Sequence, residues 1–84
     1  MRAYSAMEKR ILLHRGESVL SIHNNKILLE HYEQILFISA NRVKVVTDAA
    51  EIEFVGEHIQ VLALEKNELL MEGILSQVRF QHVQ

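Results

Sequence analysis

Apolar and polar residues alternate along most of the chain, which is the pattern of β-strands that bury one face. In the stretch EIEFVGEHIQV, the apolar residues Ile52, Phe54, Ile59 and Val61 fall on one face if the chain reverses at Gly56-Glu57. Glycine at the first position of a two-residue loop supplies the positive φ that a type II′ turn requires. The stretch therefore predicts a hairpin that pairs Phe54 with Ile59 and Ile52 with Val61.

The same arrangement occurs earlier in the chain, in the stretch LSIHNNKILL. A loop at Asn24-Asn25 pairs Ile22 with Ile27 and Leu20 with Leu29. Asparagine tolerates positive φ better than most residues, so the pattern favours a type I′ turn.

Two further stretches fit a hairpin with a longer loop. In ILFISANRVKV the loop covers residues 39–41, and Asn41 takes the left-handed conformation. In LLMEGILSQVRF the loop covers residues 73–76, with Ile74-Leu75 at its exposed tip. The predicted pairs are Phe37 with Val43, Ile35 with Val45, Met71 with Val78, and Leu69 with Phe80.

The four units begin at Leu20, Ile35, Ile52 and Leu69, which are 15, 17 and 17 residues apart. This spacing predicts an all-β fold of four successive antiparallel β-hairpins, which form a small meander, barrel or sandwich. We expect an N-terminal segment over residues 1–17 and a single β domain over residues 18–84. In the segment, Ala3, Met7 and Ile11 have the spacing of a short amphipathic helix, and a strand is the alternative for residues 11–13.

A second set of apolar residues lies on the opposite face of the same strands, where one-sided burial would have left polar residues. Either residues 3–13 and strand crossings cover part of this face, or it is a subunit interface. The candidate interface combines four residues of this face with the Ile74-Leu75 tip: Val46, Val55, Leu62, Leu70, Ile74 and Leu75.

Length and composition also favour self-association. A chain of 84 residues builds only a small core, and the absence of cysteine removes disulfides as a source of stability. A homo-oligomer is therefore expected. The sequence shows neither a signal peptide nor 18 consecutive apolar residues, so we expect a cytoplasmic protein.

The net charge of −2 and the pI near 6.2 disfavour nucleic acid as a partner, because phosphate binding depends on clustered lysine and arginine. The alternative function is a small Sm-like β-barrel that binds RNA through Arg42, Lys44 and Arg79.

No pattern of residues indicates catalysis. The five histidines lack the close spacing of zinc ligands, and the glutamates that alternate along strands are typical of a solvated face. With three glycines, the chain has neither a glycine-rich phosphate loop nor a nucleophile elbow. We therefore predict no enzyme activity, no cofactor and no metal.

Residues 18–80 resemble the YabP/YqfC family of small sporulation proteins. The resemblance is carried by LSIHNNKILLEHYEQILFIS, VKVVT, IEFVGEHIQVLAL and ELLMEGILSQVRF, in which the matching positions are turn residues and core apolar residues. Ala50 stands where the family often has glycine. The resemblance implies a non-catalytic protein of the mother cell that acts near the forespore envelope. It provides no catalytic residues to transfer. A protein partner in spore formation, for which a membrane-associated protein is a candidate, is therefore the alternative to a homo-oligomer or an addition to it.

Overall fold

The computed structural model describes residues 9–12 and 18–82, which form one antiparallel sheet of seven strands in the order β1-β2-β3-β7-β6-β5-β4. The strands are β1 (Lys9–Leu12), β2 (Val19–His23), β3 (Lys26–Glu30), β4 (Tyr32–Ile38), β5 (Arg42–Thr47), β6 (Ala50–Glu65) and β7 (Glu68–His82). The predicted all-β class is confirmed.

The sheet folds over on itself because β6 and β7 are long enough to belong to two layers. Layer A contains β1, β2 and β3 with residues 68–72 of β7 and 60–65 of β6. Layer B contains β4 and β5 with residues 50–57 of β6 and 74–82 of β7. β6 and β7 therefore turn the corner between the layers side by side.

The core lies between the two layers and takes residues from both. The buried cluster consists of Leu20, Ile27, Leu29, Val43, Val45, Ile52, Phe54, Ile59, Leu69 and Met71. All ten belong to the predicted hairpin pairs. Phe37 and Phe80 were also predicted to point inward, but they keep 45% and 40% of their surface exposed. Phe37 lies opposite Lys44, which alternates with the buried residues of β5, and Phe80 lies on a strand at the edge of layer B.

A single residue, His31, joins β3 in layer A to β4 in layer B. Its φ of 64° is left-handed, and its amide donates to the carbonyl of Asn67 at 2.6 Å. The buried Ser18 hydroxyl donates to the His31 carbonyl at 2.8 Å. These bonds hold the crossing between the layers at this end of the fold.

The first predicted hairpin is formed with the predicted pairs, Ile22 with Ile27 and Leu20 with Leu29. Its turn is not type I′, because that type needs positive φ at both loop residues and only Asn24 has it, at 56°.

The hairpin around residues 39–41 is also formed, and Ile35 pairs with Val45 as predicted. The predicted pair of Phe37 with Val43 is wrong, because a register shift between Ile35 and Phe37 places Lys44 opposite Phe37. Asn41 is not left-handed either. Instead, the Ser39 hydroxyl accepts the amide of Arg42 at 3.1 Å and closes the loop.

The predicted turn at Gly56-Glu57 is wrong: β6 continues through it and bends. The buried positions change from even numbers, ending at Gly56, to the odd number 59, because the register against β7 shifts between Glu57 and Gln60. His58, with a φ of 57°, lies in this irregularity. A β-bulge therefore moves the buried side chains from even to odd positions, which is the change that suggested a chain reversal.

The predicted loop over residues 73–76 is wrong for the same reason. β7 runs through it, and the extra residue Ser76 lies between the pairs Gly56 with Leu75 and Val55 with Gln77. The reversal that links β6 to β7 occurs instead at Lys66-Asn67. The two C-terminal hairpins of the prediction are thus one long hairpin that bends at its middle.

The turn between β5 and β6 forms without the glycine that the resembled family often has. The Thr47 hydroxyl donates to the carbonyl of Ala50 at 3.0 Å and accepts the amides of Ala49 at 3.1 Å and Ala50 at 3.0 Å. Ala50 has no positive φ and is buried. Alanine therefore fits this position.

At the N-terminus, residues 9–12 form a strand that pairs with β2, so the helix alternative is wrong there and the strand alternative is confirmed for residues 11–12. The rest of the helix prediction lies outside the described residues.

Candidate interaction surface

The structure distributes the six candidate interface residues over three places rather than one. Val46 and Val55 lie on the outer face of layer B, while Leu62 and Leu70 lie on layer A. Ile74 and Leu75 lie where β7 bends between the layers. Since the core separates the layers, their outer faces point in opposite directions, so the six residues do not form one continuous patch.

The outer face of layer B is dominated by ion pairs. Arg42 and Arg79 approach opposite oxygens of the Glu53 carboxylate at 3.1 and 3.5 Å, and Lys44 approaches Glu51 at 3.2 Å. The Arg42 guanidinium also lies 5.7 Å from the ring centre of Phe37. Val46 and Val55 are half-buried among these charges.

This arrangement bears on the RNA alternative. Arg42, Lys44 and Arg79 do lie on one face, as an RNA-binding patch requires. However, each is within ion-pairing distance of Glu51 or Glu53, so the three positive charges face two negative ones. A phosphate backbone would have to compete with these carboxylates, and the residual positive charge is small.

Layer A presents a mixed outer face. Leu28 lies opposite Leu70, and both are half-buried, whereas Leu62 at the bulge of β6 is 43% exposed. At the end of the layer, Glu68 lies opposite Glu30 on β3 and Glu65 on β6. Like charges directly opposite each other destabilise a sheet, so this row costs stability.

The bend of β7 carries the most exposed apolar residue among the six candidates. Ile74 is 55% exposed, while Leu75 is half-buried and packs against the core cluster. A groove of about 390 Å³ runs between the β2–β3 turn and residues 73–78. Ile74 therefore remains a surface residue although it is not the tip of a turn.

Two further exposed apolar sites were not among the candidate interface residues, although Leu36 and Ile38 belong to the second apolar face that the sequence indicated. On β4, the consecutive residues Leu36, Phe37 and Ile38 are all exposed, and on β6 Leu64 is 54% exposed. The signal on β4 was the unbroken apolar run ILFI, which cannot point inward at every position of a strand. The register shift between Ile35 and Phe37 sets Phe37 opposite Lys44 and Ile38 opposite the buried Val43.

The described residues offer no metal site, since no three of their His, Cys, Asp and Glu side chains form a group that could hold an ion. Four of the five histidines lie in this part of the chain, at positions 23, 31, 58 and 82. The part of the chain that the structure describes also contains no helix of the length and apolarity needed to cross a membrane.

Comparison of the chain with protein-family models, curated proteins and solved structures found no match.

Proposed function

We propose that this chain is a non-catalytic protein-interaction module that self-associates or binds a protein partner. The observation that carries the proposal is the number of large apolar side chains that remain exposed on so small a fold. They are Leu36, Phe37, Ile38, Leu62, Leu64, Ile74 and Phe80. Single exposed apolar residues are normal on a protein surface, but runs and neighbouring groups of them are typical of binding surfaces.

The small size of the domain supports the same proposal. A chain of 84 residues gains limited stability from one core, and burial of these residues against another protein would add to it. The ion pairs of layer B leave the carboxylates Glu51 and Glu53 engaged with basic partners rather than free for acid–base chemistry.

The biological setting that we propose is spore formation, in the mother cell near the forespore envelope. This part of the proposal rests on the resemblance to the YabP/YqfC family. The positions that carry the resemblance include Asn24 in the first turn, His31 in the crossing between layers, and Gly56 at the bend of β6. They are residues with structural roles, as expected of a family defined by its fold.

The experiment that tests self-association is the solution mass by light scattering across a dilution series. We expect a mass above that of the 9.7 kDa monomer at high concentration. Ile74→Ser removes the most exposed apolar side chain without touching the core. A lower mass than that of the unmodified chain at the same concentration would place Ile74 in the contact between copies. The neighbouring Gln77→Ser is the matched control, because it changes an exposed residue of the same strand that is already polar.

A chain that stays monomeric at every concentration and captures no protein in sporulating cells would refute the interaction module. Normal spore formation after deletion of the gene would remove the sporulation role and leave the interaction module standing. RNA binding is tested separately with mixed RNA at about 50 mM salt, where electrostatic binding is strong; retention there, lost at about 200 mM, would favour the alternative function.

A further inference from the structure

The C-terminal half of β7 is an open edge of the sheet. β3 pairs with β7 only as far as Glu72, so residues 74–82 have β6 on one side and no strand of the described chain on the other. The strand contains no proline. An extended edge with unpaired amides and carbonyls is a template for a further strand.

The core is also incompletely covered along this edge. Val78 lies opposite Phe54, and Phe80 lies opposite Ile52, so both point to the inner face of layer B. Phe54 and Ile52 are fully buried, yet Phe80 keeps 40% of its surface exposed. The difference arises because layer B ends at β7, and another strand beside it would cover Phe80.

The other long edges are less open. One bond at each end ties residues 59–65 of β6 to β4 or to the loop after it: the amide of Ile59 donates to the carbonyl of Ala40 in that loop at 2.7 Å, and the Tyr32 hydroxyl of β4 donates to the carbonyl of Glu65 at 3.1 Å. β4 is further interrupted by two register shifts. Bulges of this kind protect an edge from pairing, and β7 has no such shift between residues 77 and 82.

We propose that residues 78–82 of β7 pair antiparallel with the same residues of a second copy, with Phe80 at the two-fold axis. This inference rests on the proposed self-association and names its surface. Layer B then continues from one copy into the other, with the two Phe80 side chains packed together on the inner face. Cross-strand aromatic pairs stabilise antiparallel sheets.

The charges along residues 77–82 of β7 are compatible with pairing to the same strand of a second copy. Arg79 is the only formally charged residue between positions 77 and 82, and its guanidinium already contacts Glu53 at 3.5 Å and Gln77 at 3.3 Å. An antiparallel pair centred on Phe80 sets Arg79 opposite Gln81 of the second copy. The two arginines therefore do not oppose each other, and every contact occurs twice, as a two-fold interface requires.

The first test compares two matched substitutions of exposed phenylalanines. Phe80→Lys places a charge at the proposed axis, whereas Phe37→Lys makes the same change on β4, where the ring is 45% exposed. A five-residue strand pair is a small interface, so light scattering should cover about 1–200 μM. We expect Phe80→Lys to raise the dissociation concentration at least about tenfold and Phe37→Lys to leave it within about twofold.

The second test uses the absence of cysteine from the chain. Directly opposed residues of antiparallel strands have Cα atoms about 4.5–5.5 Å apart, which suits a disulfide. Phe80→Cys should therefore form a covalent dimer under mild oxidation at a rate well above that of Phe37→Cys. The cross-linking test does not depend on the stability of Phe80→Lys, because it uses different variants. Circular dichroism shows whether both cysteine variants are folded before their cross-linking rates are compared.

The outcomes separate this inference from the proposed function. An oligomer that survives Phe80→Lys and shows equal cross-linking through both cysteines would overturn the β7 pairing and leave self-association standing. A monomer at every concentration would overturn the β7 pairing and self-association, and would leave partner binding as the remaining form of the proposed function.

Discussion

Replacement of Gly56 by alanine tests the close approach of β6 and β7 at their common bend. An added Cβ would overlap the carbonyl oxygen of Ile74 and lie 2.9 Å from its carbonyl carbon and 3.0 Å from the Cα of Leu75. Ordinary carbon contacts are about 3.5–4.0 Å. All three atoms belong to the backbone, so no side-chain rotation can make room and the two strands must separate.

Two effects of opposite sign set the size of the change. Overpacking costs about 1–3 kcal/mol, and a backbone obstruction places Gly56→Ala at the upper end of that range. Loss of glycine also restricts the unfolded chain, which stabilises the fold by about 0.4–1 kcal/mol where φ is compatible, and Gly56 has no positive φ. The net expectation is a loss of about 2 kcal/mol, or roughly 8–16 °C in Tm for a domain of this size.

Thermal and urea unfolding followed by circular dichroism, at one fixed protein concentration, measures this loss. Gly73→Ala is the informative comparison, because its Cβ would also meet backbone, but the nearest atom, the Cα of Ile59 at 2.8 Å, is farther away than the Ile74 oxygen that a Cβ at Gly56 would overlap. We expect a smaller loss of about 1 kcal/mol there. Gly56→Ala with a Tm equal to or above that of the unmodified chain would refute the close approach of the two strands.

Three other substitutions probe single interactions. Thr47→Val keeps the shape but leaves the turn amides without their acceptor, so we expect a loss of about 1–3 kcal/mol in urea unfolding; an unchanged midpoint would mean that the hydroxyl does not hold the turn. Glu68→Lys replaces two opposed like charges by attractive pairs and should add about 0.5 kcal/mol at low salt, while Glu57→Lys, opposite an isoleucine, should not; a gain that persists at 1 M salt would contradict an electrostatic origin. Glu53→Gln weakens both arginine contacts and should cost about 1 kcal/mol at low salt, and a variant as stable as the unmodified chain would show that these pairs contribute nothing.

The sequence predicted the core better than the turns, and β6 shows why. The residues predicted to point inward, Ile52, Phe54 and Ile59, are buried, and Val61 packs against them. A chain reversal and a β-bulge both move the apolar positions from even to odd numbers, so the pattern alone fits either. The local signal of Gly56 favoured the reversal, whereas in the structure β6 pairs with β7 on both sides of the bend.

The candidate surface was less predictable than the core. Val46 and Leu70 alternate with inward residues along their strands. The prediction that their side chains lie on the face opposite the core is therefore confirmed. Their distribution over two layers depends on the fold of the sheet. Exposure of Phe80 likewise depends on which strands form edges, and edge position is a property of strand order rather than of local pattern. Exposure of Phe37 follows from the register shift that sets it opposite Lys44.

The sequence by itself determined an antiparallel β protein, the ten residues of its buried cluster and the position of the first turn, because side-chain alternation and asparagine at the turn act over a few neighbouring residues. Only the tertiary structure decided that β6 and β7 are single bent strands, that the sheet folds into two layers, and that β7 ends in an open edge. The physical reason is that these features arise from pairing between residues far apart in the chain. Gly56 shows both contributions. The sequence marked it as a turn residue with positive φ, whereas in the structure the glycine is needed because a Cβ would overlap the backbone of β7.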